Sequence, residues 1–289
     1  MSESRVEGGD RGTQGYGAQV FGHTSREEAD RLSLVEEEQD GYTRERIEAF
    51  GIAPNWRCLD VGAGRGSIAC WLADRCPQGQ VVATDLELSL LDGGGRRNLK
   101  VAQHNVATDD FPPSSFDLIH ARAVLTHLRN PEQVCRRMAN WLRPGGWLLV
   151  TDPASFTVDS SPHPLMRKAG VATTAIMREM VGTDPNWART LPAPLLDAGL
   201  VDVDAECRLR MMQGGTREAR MFELMLGQLA PHIAASRLMT EAEIGGLRRQ
   251  LLDPAFLDFP PAVVRAWGRR PRTGGGPAGQ AAISPRTAG

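Results

Sequence analysis

Apolar positions in this chain follow two periods. Short, nearly unbroken apolar runs at Arg57–Val61, Gln80–Asp85, Phe116–His120 and Trp147–Thr151 read as buried strands, with a weaker run at Leu99–Gln103. Between them the spacing becomes helical. Ser67–Arg75 puts Ile68 and Leu72 on one face. After Asn130 as cap and Pro131 in the first turn, Val134, Met138 and Trp141 or Leu142 recur at helical intervals until Arg143-Pro144-Gly145-Gly146. Residues 86–98 predict a short helix, weakened by Gly93-Gly94-Gly95. Strands alternating with helices imply an α/β fold: a mostly parallel sheet, right-handed crossovers and helices on both faces.

The flanks are patterned differently. Residues 1–22 are polar and glycine-rich and read as a flexible N-terminus. Residues 23–52 read as a helical lid. Thr24 and Ser25 match capping boxes with Glu27 and Glu28, and a second helical piece at 43–50 ends at Gly51. The core domain spans 53–268. It carries cap insertions near 154–195 and 214–255, with helices expected at 164–180, 194–198, 217–230 and 240–251. Strand character returns at 201–211 and 262–268, and the Gly/Pro/Arg-rich segment 269–289 reads as a disordered tail.

The glycine-rich stretch Leu59-Asp60-Val61-Gly62-Ala63-Gly64-Arg65-Gly66 closes the first strand and opens a helix. Glycines there let the backbone approach a ligand, and the first amides of the helix point out of the turn. Asp60 precedes the loop, and Asp85 closes the next strand. This strand, loop, helix, strand and terminal acid form a nucleoside-binding half. A nicotinamide cofactor competes for it. Its G-x-G-x-x-G fingerprint, however, wants glycine where Ser67 stands, and its pyrophosphate would repel Asp60. A cationic sulfonium donor welcomes that carboxylate.

Composition narrows the classes. The formal charge of −2 over 289 residues and a pI near 6.3 disfavour a nucleic-acid binder, which needs a basic face. No apolar run approaches the roughly 20 residues of a membrane span. The five cysteines (Cys58, Cys70, Cys76, Cys135, Cys207) and six histidines lack metal-ligand spacing, so no metal is expected and the cysteines read as free thiols of a reducing cytoplasm.

With Val-Val-Ala-Thr-Asp (81–85), Phe-Pro-Pro-Ser-Ser-Phe-Asp-Leu-Ile-His-Ala-Arg (111–122), Leu-Thr-His-Leu (125–128) and Leu-Arg-Pro-Gly-Gly-Trp-Leu-Leu-Val-Thr-Asp-Pro (142–153), the chain resembles class I S-adenosylmethionine-dependent methyltransferases. The likeness is to the ubiquinone-biosynthesis-like branch, which includes bacterial natural-product enzymes. It implies a Rossmann-like sheet of about seven strands with the last one antiparallel. It also implies S-adenosylmethionine as cofactor and a small-molecule acceptor, with O-methylation favoured over N or C, in a monomer or homodimer. A donor-free methyltransferase-like binding protein and a nicotinamide-dependent reductase are the alternatives.

The resemblance also implies residue roles. Gly62, Gly64 and Gly66 line the methionine part of the donor, with Asp60 close by. Asp85 accepts from the ribose hydroxyls, Leu86 covers one adenine face, and Asn105 and Val106 meet the adenine edge. Ala121 touches the donor through its backbone. Arg122 faces the acceptor or pairs with a helix acid. His127 matches the general base of some O-methyltransferases, with Asp152 as its orienting acid, or it is a helix-entry histidine. Substrate candidates are Tyr16, Phe21, Tyr42, Phe156, Trp187 and Met211, with Met166, Met177 and Met212 as further apolar groups. The alternative for each, favoured residue by residue, is an ordinary core place. Of the other histidines, His23 and His163 are candidates to face the acceptor, and His104 and His232 read as surface or turn residues.

Overall fold

A computed structural model describes residues 26–180 and 182–272. Tyr16, Phe21, His23 and the proposed caps at Thr24 and Ser25 lie outside the described residues.

The chain opens with α1 (Arg26–Ala49), then β1 (Arg57–Val61), α2 (Ser67–Arg75), β2 (Gln80–Asp85), β3 (Leu99–Gln103) and β4 (Phe116–Arg122). A 3-10 turn, Leu125–His127, leads to α3 (Pro131–Trp141) and the long β5 (Leu142–Ala154). The cap begins with α4 (Phe156–Asp159), α5 (Pro164–Met180), a 3-10 turn at Trp187–Thr190 and α6 (Pro192–Asp197). Then come β6 (Val201–Arg208), β7 (Met212–Gln213), α7 (Arg217–Ala235), α8 (Glu241–Leu252), β8 (Leu257–Asp258) and β9 (Ala262–Arg269).

Seven strands form one sheet in the order β3-β2-β1-β4-β5-β9-β6. β1 to β5 pair in parallel, and β9 runs antiparallel to both β5 and β6. The strand order reverses between β1 and β4, and a ligand crevice opens at the carboxyl ends of the strands around such a point. The sheet is covered on both faces. Successive residues of a strand point oppositely, so Leu118 packs with Ile68, Leu72 and Leu149, whereas Ile119 packs with Met138, Trp141 and Val150. A third apolar cluster, including Met166, Ile176, Phe222, Leu226 and Leu247, joins α5, α7 and α8 into the cap.

Three elements differ from the sequence-based expectation. The lid is one helix of 24 residues instead of two pieces. Gly41 costs it about 1 kcal/mol relative to alanine, but tertiary contacts hold it together. Ile47 is fully buried, and the acids of the Glu36-Glu37-Glu38-Gln39-Asp40 run bind arginines from separate elements. Glu37 meets Arg217, Glu38 meets Arg208 and Arg210, and Asp40 meets Arg122. Residues 86–98 form turns and no helix, as three consecutive glycines would favour. β5 begins at Leu142, and a Cβ on Gly146 would lie only 3.0 Å from the Phe116 and Asp117 carbonyls, so glycine there admits the close approach to β4.

Among the described residues no helix is long and apolar enough to cross a membrane. All five cysteines are free thiols.

Candidate active site

The glycine loop is held from three sides. Ala63 N–H donates to the Thr84 carbonyl at 2.9 Å. Gly64 N–H donates to Asp85 Oδ2 at 2.9 Å, and Leu86 N–H to Asp85 Oδ1 at 2.7 Å. The acid at the end of β2 is therefore bonded to the loop after β1. Gly62 has φ +62°, and a Cβ there would lie 2.3 Å from Val124 Cγ2, so glycine is required by both conformation and space.

The loop forms one wall of a cleft of about 280 Å³. Gly62, Gly64, Asp85, Leu86, Asn105, Val106, Arg122, His127 and Met177 all line it. Thus nine sequence-selected residues, from five regions of the chain, are brought to one cavity. Arg122 pairs with a helix acid, donating to Asp40 Oδ1 of the lid at 2.9 Å, and also lines the cleft.

Other expected site residues lie elsewhere. Gly66 is turned away from the cleft. Its φ of +90° starts α2, and a Cβ there would meet Leu91 Cδ1 at 2.9 Å and the Asp92 carbonyl at 3.0 Å, so its role is close packing. Asp60 is buried below the loop, with Oδ1 2.7 Å from His120 Nδ1. Ala121 is fully buried in mid-sheet between Val61 and Val150. The cleft lining begins at the next residue, with Arg122, Ala123 and Val124. Asn105 lines the cleft, yet its Oδ1 accepts the Ala107 N–H at 3.0 Å and closes its own turn.

The substrate candidates fare worse. Tyr42, on the lid helix α1, packs its ring under Arg265, whose guanidinium carbon is 3.4 Å from the ring centroid, and does not line the cleft. Phe156 packs against the main core with Arg189 over its ring. Met211 is 52% exposed and outside the cleft. Met166 and Met212 are buried in the cap interior. Trp187 is buried, and its indole N–H donates to Asp152 Oδ2 at 3.0 Å. Met211 aside, these residues serve packing, the alternative their residue types always offered.

Asp152 does not face the cleft. Its Oδ1 accepts Val124 N–H at 3.0 Å, and its Oδ2 accepts Thr126 N–H at 3.1 Å together with the Trp187 indole. These bonds fasten the backbone of the turn that presents His127. Asp152 therefore holds the backbone of the turn on which His127 stands. Burial pushes its carboxyl up to about 7, against the N–H donors that lower it, the Trp187 indole foremost.

Residues that sequence reasoning missed complete the cleft. His104 lines it, stacked on Phe111 with centroids 4.5 Å apart. Both its ring nitrogens are buried without a hydrogen-bond partner among the described residues, and burial pushes its pKa down. Its position directly after β3, beside Asn105, was the available signal. Glu28, Arg31, Leu32, Val35 and Glu36 enter from α1, and Phe222, Met225 and Leu229 from α7. His163 stays in the cap, with Nε2 3.0 Å from the Leu257 carbonyl. Among the described residues no three His, Cys, Asp or Glu side chains group as a metal site.

Comparison with known proteins agrees with this geometry. A family described as a methyltransferase domain matches residues 34–188, more than half of the chain. Methyltransferase str3 of Strobilurus tenacellus is 34% identical over 140 residues, covering 47% of this chain and 49% of that protein. The ubiquinone/menaquinone biosynthesis C-methyltransferase UbiE of Hahella chejuensis is 27% identical over 205 residues, covering 66% and 79%. Phosphoethanolamine N-methyltransferase 3 of Arabidopsis thaliana is 26% identical over 172 residues, covering 57% and 33%. The chain thus spans between a third and a half of the length of several curated relatives it matches. Among solved structures, YcgJ of Bacillus subtilis superposes with a TM-score of 0.55 at 16% identity, covering 78% of this chain and 97% of that one. Identity that low shows the fold alone. The family match supplies the rest: this chain belongs to the methyltransferase-domain family.

Proposed function

We propose that this protein transfers the methyl group of S-adenosylmethionine to oxygen on a small-molecule acceptor, an intermediate of secondary metabolism. The observation that carries this reading is the bond between Asp85 and Gly64 at the mouth of a cleft that also holds His127. The proposal places the enzyme in the cytoplasm, as a monomer or homodimer without a nucleic-acid or membrane partner.

The residues fit the donor. Gly62 keeps the loop free of a Cβ, Asp85 presents a carboxylate at the strand edge for ribose hydroxyls, and Leu86 and Val106 offer apolar faces for the purine. The unpartnered nitrogens of His104 add polar atoms at that end. When bound, the donor supplies an electrophilic methyl group on a cationic sulfur. What remains for the chain is alignment, exclusion of water and removal of one hydroxyl proton. His127 lines the cleft on a turn held by Asp152, and its imidazole nitrogen takes that proton near neutral pH. The lid helix α1 and α7 close the cleft above the acceptor.

Calorimetry on the full chain tests the donor: S-adenosylmethionine gives a binding heat and a raised Tm, and NADH gives neither. No heat with S-adenosylmethionine would sink the reading, and a Tm raised by NADH alone would install the reductase in its place. For His127→Ala, kcat should fall about 10²-fold or more with donor affinity unchanged. A normal rate at saturation would remove His127 as the base.

A further inference from the structure

The cap half of the cleft is apolar, and its charges are already matched. Leu32 and Val35 face it from α1, Val158 and Met177 from the cap insertion after β5, and Phe222 and Met225 from α7. Gly170 permits this wall, since a Cβ there would meet Val158 Cγ1 at 2.7 Å. Arg31 reaches the same cavity, but its Nε and Nη2 donate to the two carboxylate oxygens of Glu28 at 2.8 and 2.7 Å. Glu28 is 2% exposed and also accepts from Gln228 Nε2 at 3.0 Å. Arg122 is paired with Asp40. The remaining acid, Glu36, lies 3.9 Å from Arg65 of the glycine loop, on the donor side.

From this wall we infer that the acceptor is a neutral molecule with a predominantly apolar body carrying its nucleophile, and not a phosphorylated or cationic amine. The inference rests on the proposed methyl transfer and narrows its substrate. A phosphate would have to compete with Glu28 for Arg31, or with Asp40 for Arg122, and breaking either partly buried ion pair is unfavourable. An ammonium group needs an aromatic cage or an unmatched acid. Phe222 is the one aromatic hydrocarbon ring on this wall among the described residues, and one ring is not a cage. An apolar body gains from contact with Met, Leu and Val side chains that adapt to its shape. The phosphoethanolamine methyltransferases, by their names, act on a phosphorylated amine, so this part of the chain departs from those relatives.

The test uses the full chain and three probes: 1-naphthol (neutral, apolar, with one hydroxyl), phosphoethanolamine and N-methylethanolamine. Affinities are read by calorimetry, and S-adenosylhomocysteine affinity is measured separately. 1-Naphthol should bind about tenfold or more tightly than either polar probe. Met225→Glu, which sets a carboxylate in the apolar wall, should weaken 1-naphthol about tenfold or more and leave S-adenosylhomocysteine affinity within about twofold. Met225→Leu should keep both. Tighter binding of phosphoethanolamine or N-methylethanolamine, or an unchanged 1-naphthol affinity in Met225→Glu, overturns the inference. If Met225→Glu loses S-adenosylhomocysteine binding as well, Thr173→Asp on the same wall reads the same question. A wild-type chain that binds 1-naphthol but not S-adenosylhomocysteine would refute the donor reading and uphold the apolar pocket.

Discussion

Asp85→Ala is expected to weaken S-adenosylmethionine binding tenfold or more, since a paired carboxylate contact is worth about 1.5–3 kcal/mol. Two losses combine. The variant removes the proposed acceptor for the ribose hydroxyls. It also removes the acceptor of the Gly64 and Leu86 amides, at 2.9 and 2.7 Å, and so frees the loop that should meet the donor. The second loss predicts a signature: Asp85→Asn, which keeps one acceptor oxygen, recovers part of the affinity. Calorimetry on the purified variants reads both. An unchanged affinity in Asp85→Ala would show that the donor's ribose lies elsewhere.

Asp152→Ala should destabilise the fold by about 3 kcal/mol or more, because two backbone N–H groups and the Trp187 indole lose their acceptor, at about 1–3 kcal/mol each where buried. In a domain of this size the corresponding fall in Tm is roughly 6 °C or more. Activity should fall too, because the turn carrying His127 loses its fastening. A double variant with His127→Ala should therefore lose less activity than the two single effects combined. Asp152 also sets a pH dependence. Its carboxyl is raised from the ordinary value to about 7 by burial. The folded state thus favours the protonated form, and the stability linked to this group is full below the unfolded pKa near 4 and is lost as pH rises through about 7. Asp152→Asn should flatten that part of the stability profile in thermal melts taken from pH 4 to 8. A profile identical to that of the parent chain would refute the assignment.

These two acids show different degrees of legibility. Asp85 stands at the end of a strand, about twenty residues after a glycine loop, and that local order carries its meaning. Asp152 also stands at the end of a strand in sequence, and it read as a catalytic partner of His127. Its actual partners are the 124–126 backbone and an indole 35 residues away. No spacing rule distinguishes a carboxylate aimed into a cleft from one aimed beneath it. Trp187 was misplaced for the same reason, since a large aromatic suits a substrate wall and a buried clamp equally.

What the sequence determined by itself was the alternating strand and helix order, the parallel core of the sheet and the glycine-loop wall of the cleft. These rest on period-two and period-3.6 patterns and on glycines within one βαβ unit, all short-range. Tertiary structure alone decided the cap half of the cleft. Glu28 and Gln228, two hundred residues apart, meet there, and Leu32, Val158, Met177 and Phe222 face one cavity from four helices. Each of those side chains sits on an amphipathic face that local pattern reads as ordinary core. Which faces leave a cavity between them depends on how the helices pack, and packing is a property of the assembled chain.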